Sequence, residues 1–121
     1  MKNTFSNKKL GKFGEDLAVD YLKKSKFEIL ERNWHCSKDA EVDIIAKDGK
    51  TLVFVEVKTR SNLNCGHPFE AINVHKMQKI MLAIPVYIEK NDISCSNYRI
   101  DLIAVIGKEN PKIEHIRGAG F

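Results

Sequence analysis

The chain has 121 residues and a mass of 13.8 kDa, room for a single domain (residues 1–121) and little more. Hydrophobic residues make up 43% and charged residues 30%, a globular balance that excludes a disordered or low-complexity chain. Twenty Lys and Arg against sixteen Asp and Glu leave a net charge of +4, an excess that permits a polyanionic partner such as nucleic acid without requiring one.

Met1 to Gly14 is polar and lysine-bearing and lacks the apolar core of a secretory signal. From about Lys9 to Lys24 the spacing predicts an amphipathic helix, with Leu10, Phe13, Leu17 and Tyr21 recurring at helical intervals. Phe27 to Trp34 reads as a strand. Glu41 to Ala46 and Thr51 to Thr59 are β-branched and apolar, and Lys47-Asp48-Gly49-Lys50 between them predicts a hairpin through a type I′ turn at Asp-Gly. Leu52 to Val57 is nearly continuous in apolar side chains, as in a central strand covered on both faces.

Ser61 to Pro68 is a polar loop, and Phe69 to Glu89 reads as a second helix that Pro85 should kink or break near its last turn. The longest apolar run, Ile80 to Ile88, falls far short of the roughly 20 residues of a membrane span. Tyr98 to Ile106 is a further strand, and Lys112 to Ile116 a last one before a Gly-containing tail. A helix joining Leu52–Thr59 to Tyr98–Ile106 implies a parallel, right-handed crossover, hence an α/β fold with a mixed sheet and helices packed on it. Cys36, Cys65 and Cys95 are widely spaced and odd in number. Reduced thiols in a cytoplasmic protein without membrane contact are the expectation.

A two-residue Asp48-Gly49 loop pairs Lys47 with Lys50 and places Asp43 opposite Phe54 and Glu41 opposite Glu56. Glu41, Asp43, Glu56 and Lys58 then project from one side of the hairpin. Asp43 and Glu56 become diagonal neighbours roughly 7–8 Å apart at the backbone, within reach of a common ion. On the first helix Glu15 lies beside Gly11, Ala18, Val19 and Leu22, inside the arc that faces the core, where it needs a cation, a metal or a proton. A buried salt bridge and a catalytic role both satisfy it. Gly11 and Gly14 weaken that helix by roughly 1 kcal/mol each, a cost that close approach of backbone or ligand would explain.

Two hard carboxylates converging with a lysine suit Mg²⁺ or Mn²⁺, which can activate water and stabilise charge developing on a phosphate. Lys58 is placed to orient that water or to neutralise the phosphate. For Glu56 and Lys58 the bland alternative is cross-strand ion pairing at a solvated edge, which the apolar Leu52-Val53-Phe54-Val55 beside them disfavours. Arg32, Arg60 and Lys76 are candidate contacts to a nucleic-acid backbone, although a helix lysine such as Lys76 is more often simply solvated. His35, His67, His75 and His115 are scattered and suggest no catalytic pairing.

Gly11-Lys12-Phe13-Gly14-Glu15, Arg32-Asn33-Trp34, Glu41-Val42-Asp43-Ile44-Ile45-Ala46 and Leu52-Val53-Phe54-Val55-Glu56-Val57-Lys58-Thr59-Arg60 resemble the signature of the YraN-like family of bacterial proteins. Lys76, Ala83, Tyr87, Ile100-Asp101-Leu102-Ile103 and His115-Ile116 continue the likeness over nearly the whole chain. That family is similar in pattern to the restriction-endonuclease-like PD-(D/E)xK nucleases, and especially to archaeal Holliday junction resolvases. The resemblance implies an αβββαβ core with Glu15, Asp43, Glu56 and Lys58 as the active site. Asp43 and Glu56 would hold Mg²⁺ or Mn²⁺, Lys58 would assist the attacking water, and Glu15 would complete the acidic cluster. Two departures stand out: Ala40 replaces a usual Gly, and Pro85 falls inside the second helix.

The function expected on these grounds is a metal-dependent endonuclease acting on DNA, with branched, Holliday-junction-like DNA as a candidate substrate and a homodimer implied by resemblance. The rival is a non-catalytic nucleic-acid-binding module that keeps the nuclease fold. A carboxylate-pair glycoside hydrolase fits poorly, since there is one Trp and Lys58 would have no role.

Overall fold

A computed structural model describes residues 7–38 and 40–119; the first residues of the polar N-terminus, position 39 and the end of the glycine-containing tail lie outside the described residues. The elements follow the order α1 (Asn7–Lys24), β1 (Glu28–Ser37), β2 (Ala40–Asp48), β3 (Thr51–Arg60), α2 (Val74–Lys90), β4 (Asn97–Ile106) and β5 (Lys112–Ile116). The strands form one mixed sheet in the order β1-β2-β3-β4-β5. β3 and β4 run parallel and the other neighbours antiparallel, because the α2 crossover carries the chain back to lay β4 along the edge of β3 away from β2, in the same direction as β3.

Each helix covers one face of the sheet. Ala18, Val19 and Leu22 of α1 pack with Ile44, Ala46, Val53, Val55, Ile103 and Val105. Met77, Ile80, Ile84 and Tyr87 of α2 pack with Ile45, Leu52, Phe54, Ile100 and Leu102 on the other side. β3 lies in the middle of the sheet and contributes alternately to both clusters, which explains its unbroken run of apolar residues. No helix among the described residues is long and apolar enough to cross a membrane.

Three local expectations are corrected. The β2–β3 loop is Gly49-Lys50, with Asp48 paired to Thr51. Only Gly49 (φ 63°) takes a positive φ there, as the first central position of a type II′ turn does, whereas an Asp48-Gly49 loop of type I′ would force Asp48 into that region too. Asp48 instead remains a strand residue and pairs with Arg99 at 3.0 Å and Arg117 at 3.3 Å. The second helix starts at Val74, since the Asn73 side chain accepts from the Lys76 N–H and caps it, leaving Pro68–Ala71 as a separate 3-10 turn. Pro85 neither kinks the helix enough to end it nor breaks it: α2 continues to Lys90. Pro85 sits on the exposed side, where water can satisfy the carbonyl freed one turn earlier.

Gly14 is where α1 comes closest to the sheet. A Cβ there would overlap the Thr59 side chain of β3, while one at Gly11 would meet nothing. Gly14→Ala is therefore expected to destabilise the fold by about 1–3 kcal/mol despite the better helix propensity of Ala. Gly11→Ala should be neutral or stabilising by up to about 1 kcal/mol. Urea unfolding of the two variants against the parent measures the contrast.

Candidate functional site

The β2–β3 ladder is regular from Asp48↔Thr51 to Ile44↔Val55 and pairs no residue beyond that. On the other side of β2 the register runs unshifted from Arg32↔Ile44 to Trp34↔Val42, but Asn33 and Asp43 between them form no pair. Asn33 has φ 54°, a left-handed conformation that Asn tolerates better than most residues. The end of β2–β3 pairing opens the sheet beyond Ile44, while β1 and β2 stay paired as far as Ser37↔Ala40, and the acidic residues gather at that opening.

Asp43 fills the gap with its own side chain: the Val57 N–H donates to Asp43 Oδ2 at 2.8 Å, a bond that main-chain pairing would otherwise have supplied. Asp43 lines a cleft of about 870 Å³ together with Glu15, Arg32, Asn33 and Glu41 on the α1 side. Glu56 packs instead toward α2, against Val42, Phe54 and Ile80. The four residues expected on one face of a regular hairpin are instead divided: Glu41 and Asp43 line the cleft on the α1 side, and Glu56 lies toward α2 with Lys58 3.6 Å from it. The expected register is off by two residues, and its continuation would set Asp43 level with Glu56 rather than with Phe54.

Glu56 is 3% exposed. Its Oε2 lies 3.0 Å from Lys76 Nζ and 3.6 Å from Lys58 Nζ, while its buried Oε1 has no hydrogen-bond partner among the described residues. Burial opposes the charge of Lys76, but Glu56, with Asp43 and Glu41, outweighs it and holds the ammonium above its ordinary value. Burial and the nearby Glu56 charge push the Asp43 carboxyl up to about 7, against the Val57 hydrogen bond and Lys76, which pull it down.

Glu15 occupies the core-facing arc of α1, as its place on the helix predicts. Its Oε1 accepts from Arg32 Nη2 at 2.6 Å and from Asn33 Nδ2 at 3.2 Å. The same Arg32 nitrogen lies 2.6 Å from Asp16 Oδ1, and its hydrogen bond outweighs slight burial to hold the Asp16 carboxyl below its ordinary value. Arg32 and Lys76, two of the three candidate backbone contacts, are therefore engaged by carboxylates of the site. Arg60 lies at the rim beside Lys58, in a recess of about 460 Å³. Asn33 was not a candidate from sequence, and neither was the Lys76–Glu56 pair; the first needed knowledge of a left-handed residue in β1, the second the placement of α2 across the sheet.

Asp43 and Glu56 are the side chains that could hold a metal, both offering hard oxygens. Among the described residues, no group of three or more His, Cys, Asp and Glu side chains forms a ready metal cage, so a cation here would rely on these two and on retained water.

A sequence profile described as "Uncharacterised protein family UPF0102" matches residues 14–105. The chain belongs to this family. A UPF0102 protein of Geotalea uraniireducens (strain Rf4) is 46% identical over 115 residues, covering 93% of this chain and 90% of its own. One from Arthrobacter sp. (strain FB24) is 42% identical over 113 residues, covering 92% of this chain and 95% of its own. One from Christiangramia forsetii is 46% identical over 113 residues, covering 93% of each. The UPF0102 match takes in Glu15, Asp43, Glu56, Lys58 and Lys76 and extends into β4.

The raised pKa of Asp43 has a sign that can be measured in this UPF0102 chain. Between about pH 4 and pH 7 the folded state holds a proton that the unfolded state has released, so stability falls as pH rises through that window and is flat above it. Asp16 and Asp101, whose carboxyls are held low, act below it and in the opposite direction. Asp43→Asn keeps an acceptor for the Val57 N–H and removes the titration. It is expected to be more stable than the parent by roughly 1–3 kcal/mol near pH 8 and indistinguishable near pH 4 in denaturant unfolding.

Proposed function

We propose that the chain is a metal-dependent endonuclease that hydrolyses phosphodiester bonds in DNA, branched DNA included, and that it belongs with the restriction-endonuclease-like PD-(D/E)xK nucleases. The observation that carries the proposal is Glu56: a carboxylate buried on the central strand, one oxygen met by lysines and the other orphaned, within electrostatic reach of a second carboxylate, Asp43, whose proton is held up to about 7. A buried oxygen without a donor is costly, and a divalent cation shared with Asp43 would satisfy it.

When bound, Mg²⁺ or Mn²⁺ would supply a more acidic water and stabilise charge gathering on the phosphate. Asp43 and Glu56 would hold the ion. Lys58, anchored two residues from Glu56 on a rigid central strand, would orient the attacking water or neutralise the phosphate. Arg32 and Asn33 fix Glu15 at the edge of the cleft, where it adds negative charge next to Asp43. Arg60 at the rim would meet the nucleic-acid backbone. Two symmetric cuts in a branched junction need two sites, so this reading includes a twofold homodimer.

One observation favours a second reading, a nucleic-acid-binding module without catalysis: Lys58 and Lys76 already answer the charge of Glu56 without a metal. Cleavage separates the two. Four-way-junction, flap, linear duplex and single-stranded DNA would be incubated with Mg²⁺ or Mn²⁺ and the parent protein, Glu56→Ala or Lys58→Ala. Cutting by the parent, abolished by a chelator and reduced about 100-fold or more in both variants, is the expected outcome. Salt-sensitive binding without cutting on every substrate would establish the binding module instead.

A further inference from the structure

Two ammonium groups stand on the same oxygen of Glu56, and they come from different elements. Lys58 is a neighbour on β3, 3.6 Å away. Lys76 reaches across from the first turn of α2 to within 3.0 Å, its own N–H bound to the capping Asn73 side chain at 3.1 Å. The main chain of Lys76 is thus held in place while its flexible four-carbon stem carries the charge into the sheet. Glu41 and Asp43 stand near enough to act on the same ammonium. Lys76 also lines a recess of about 390 Å³ outside the cleft, with Lys38, Glu41, Asn73, His75 and Lys79.

We propose that Lys76 is a stand-in for the divalent cation: it neutralises and orients Glu56 in the metal-free protein, and the entering ion displaces it into the adjacent recess. This rests on the metal-binding reading of Asp43 and Glu56. The displacement follows from charge. Two ammonium groups and a divalent ion gathered on one carboxylate repel one another, and the ammonium nearest the carboxylate, Lys76 at 3.0 Å, is the one set most directly against the ion. Lys58 borders a recess of its own but stands farther off, at 3.6 Å and on the same strand as Glu56, whereas Lys76 is the nearer ammonium at 3.0 Å and comes from α2, bordering both the carboxylate and the recess of about 390 Å³. Once displaced, its ammonium stands with Lys38, His75 and Lys79 around Glu41 in that recess. Lys76 is in this account a positioning residue, acting through Glu56.

Calorimetric titration with Mn²⁺ and thermal unfolding with and without Mn²⁺ would be compared for the parent, Lys76→Gln and Lys76→Arg. Lys76→Gln should melt below the parent without metal, because Glu56 loses its nearest partner, and Mn²⁺ should restore it. Its Mn²⁺ affinity should rise about tenfold with the competitor gone. Lys76→Arg keeps the charge and grips a carboxylate with two donors, so it should bind Mn²⁺ more weakly than the parent. That variant decides the matter if Lys76→Gln does not fold. Unchanged or weaker Mn²⁺ binding by Lys76→Gln, a melting loss that Mn²⁺ leaves in place, tighter or unchanged binding by Lys76→Arg, or no Mn²⁺ binding by the parent would each overturn the exchange. Metal exchange as described in a protein that cuts no DNA would contradict the nuclease and leave the exchange standing.

Discussion

A carboxylate inside an apolar sheet has to be answered by something, since an isolated charge moved out of water costs several kcal/mol even after relaxation. In this protein Glu56 meets that demand on the middle strand, 3% exposed, and much of the architecture around it supplies the answer. Lys76 comes from α2, Lys58 from β3 itself, and Asp43 is held from across the opened β2–β3 ladder by the Val57 N–H. Glu15 brings α1 into the same cluster through Arg32 and Asn33 of β1. Five elements are tied together at one end of the sheet by charge rather than by packing. Apolar residues of similar volume would usually be at least as stable as such a cluster, which is why its placement points to chemistry.

A second buried carboxylate shows what a closed network looks like. Asp101 of β4 is 0% exposed, and both its oxygens are met: Arg99 Nε at 2.8 Å and the Gly118 N–H at 3.0 Å on one, His115 Nε2 at 2.8 Å on the other. Tyr21 of α1 continues the chain of contacts to His115 Nδ1 at 2.9 Å. Burial opposes the charge, but His115, Arg99 and Gly118 together hold the Asp101 carboxyl below its ordinary value. This network staples β5 and the segment after it to β4 and α1. Glu56 differs in having one oxygen fully met and the other open, so the two buried acids carry the same charge to different ends.

Most of the fold was legible because its signals are local. The period-two and period-3.6 patterns gave the order of helices and strands, and the long apolar run of β3 marked it as central. Asp43, Glu56 and Glu15 stood out as charges in apolar surroundings, and Glu15 does face the core. What failed depends on single backbone conformations. The turn moved by one residue at each end because glycine alone takes the positive φ; the two-residue register shift preserved strand parity, but β2–β3 pairing ends at Ile44↔Val55, and beyond it Asp43 and Glu56 turn to opposite faces. Contacts between distant elements, such as Lys76 on Glu56, leave no local mark in the sequence. Asp101 did leave one, an acid between Ile100 and Leu102, of the same kind that singled out Asp43.

The central claim is that the open oxygen of Glu56 and the carboxylate of Asp43 form a seat for a hard divalent cation. Anomalous diffraction from crystals grown with Mn²⁺ tests it most directly. The account predicts a manganese peak about 2.0–2.6 Å from oxygens of both Asp43 and Glu56, with retained waters completing the shell. Crystals that bind Mn²⁺ only elsewhere, or show Glu56 still held by Lys76 with nothing between it and Asp43 at saturating Mn²⁺, would contradict it.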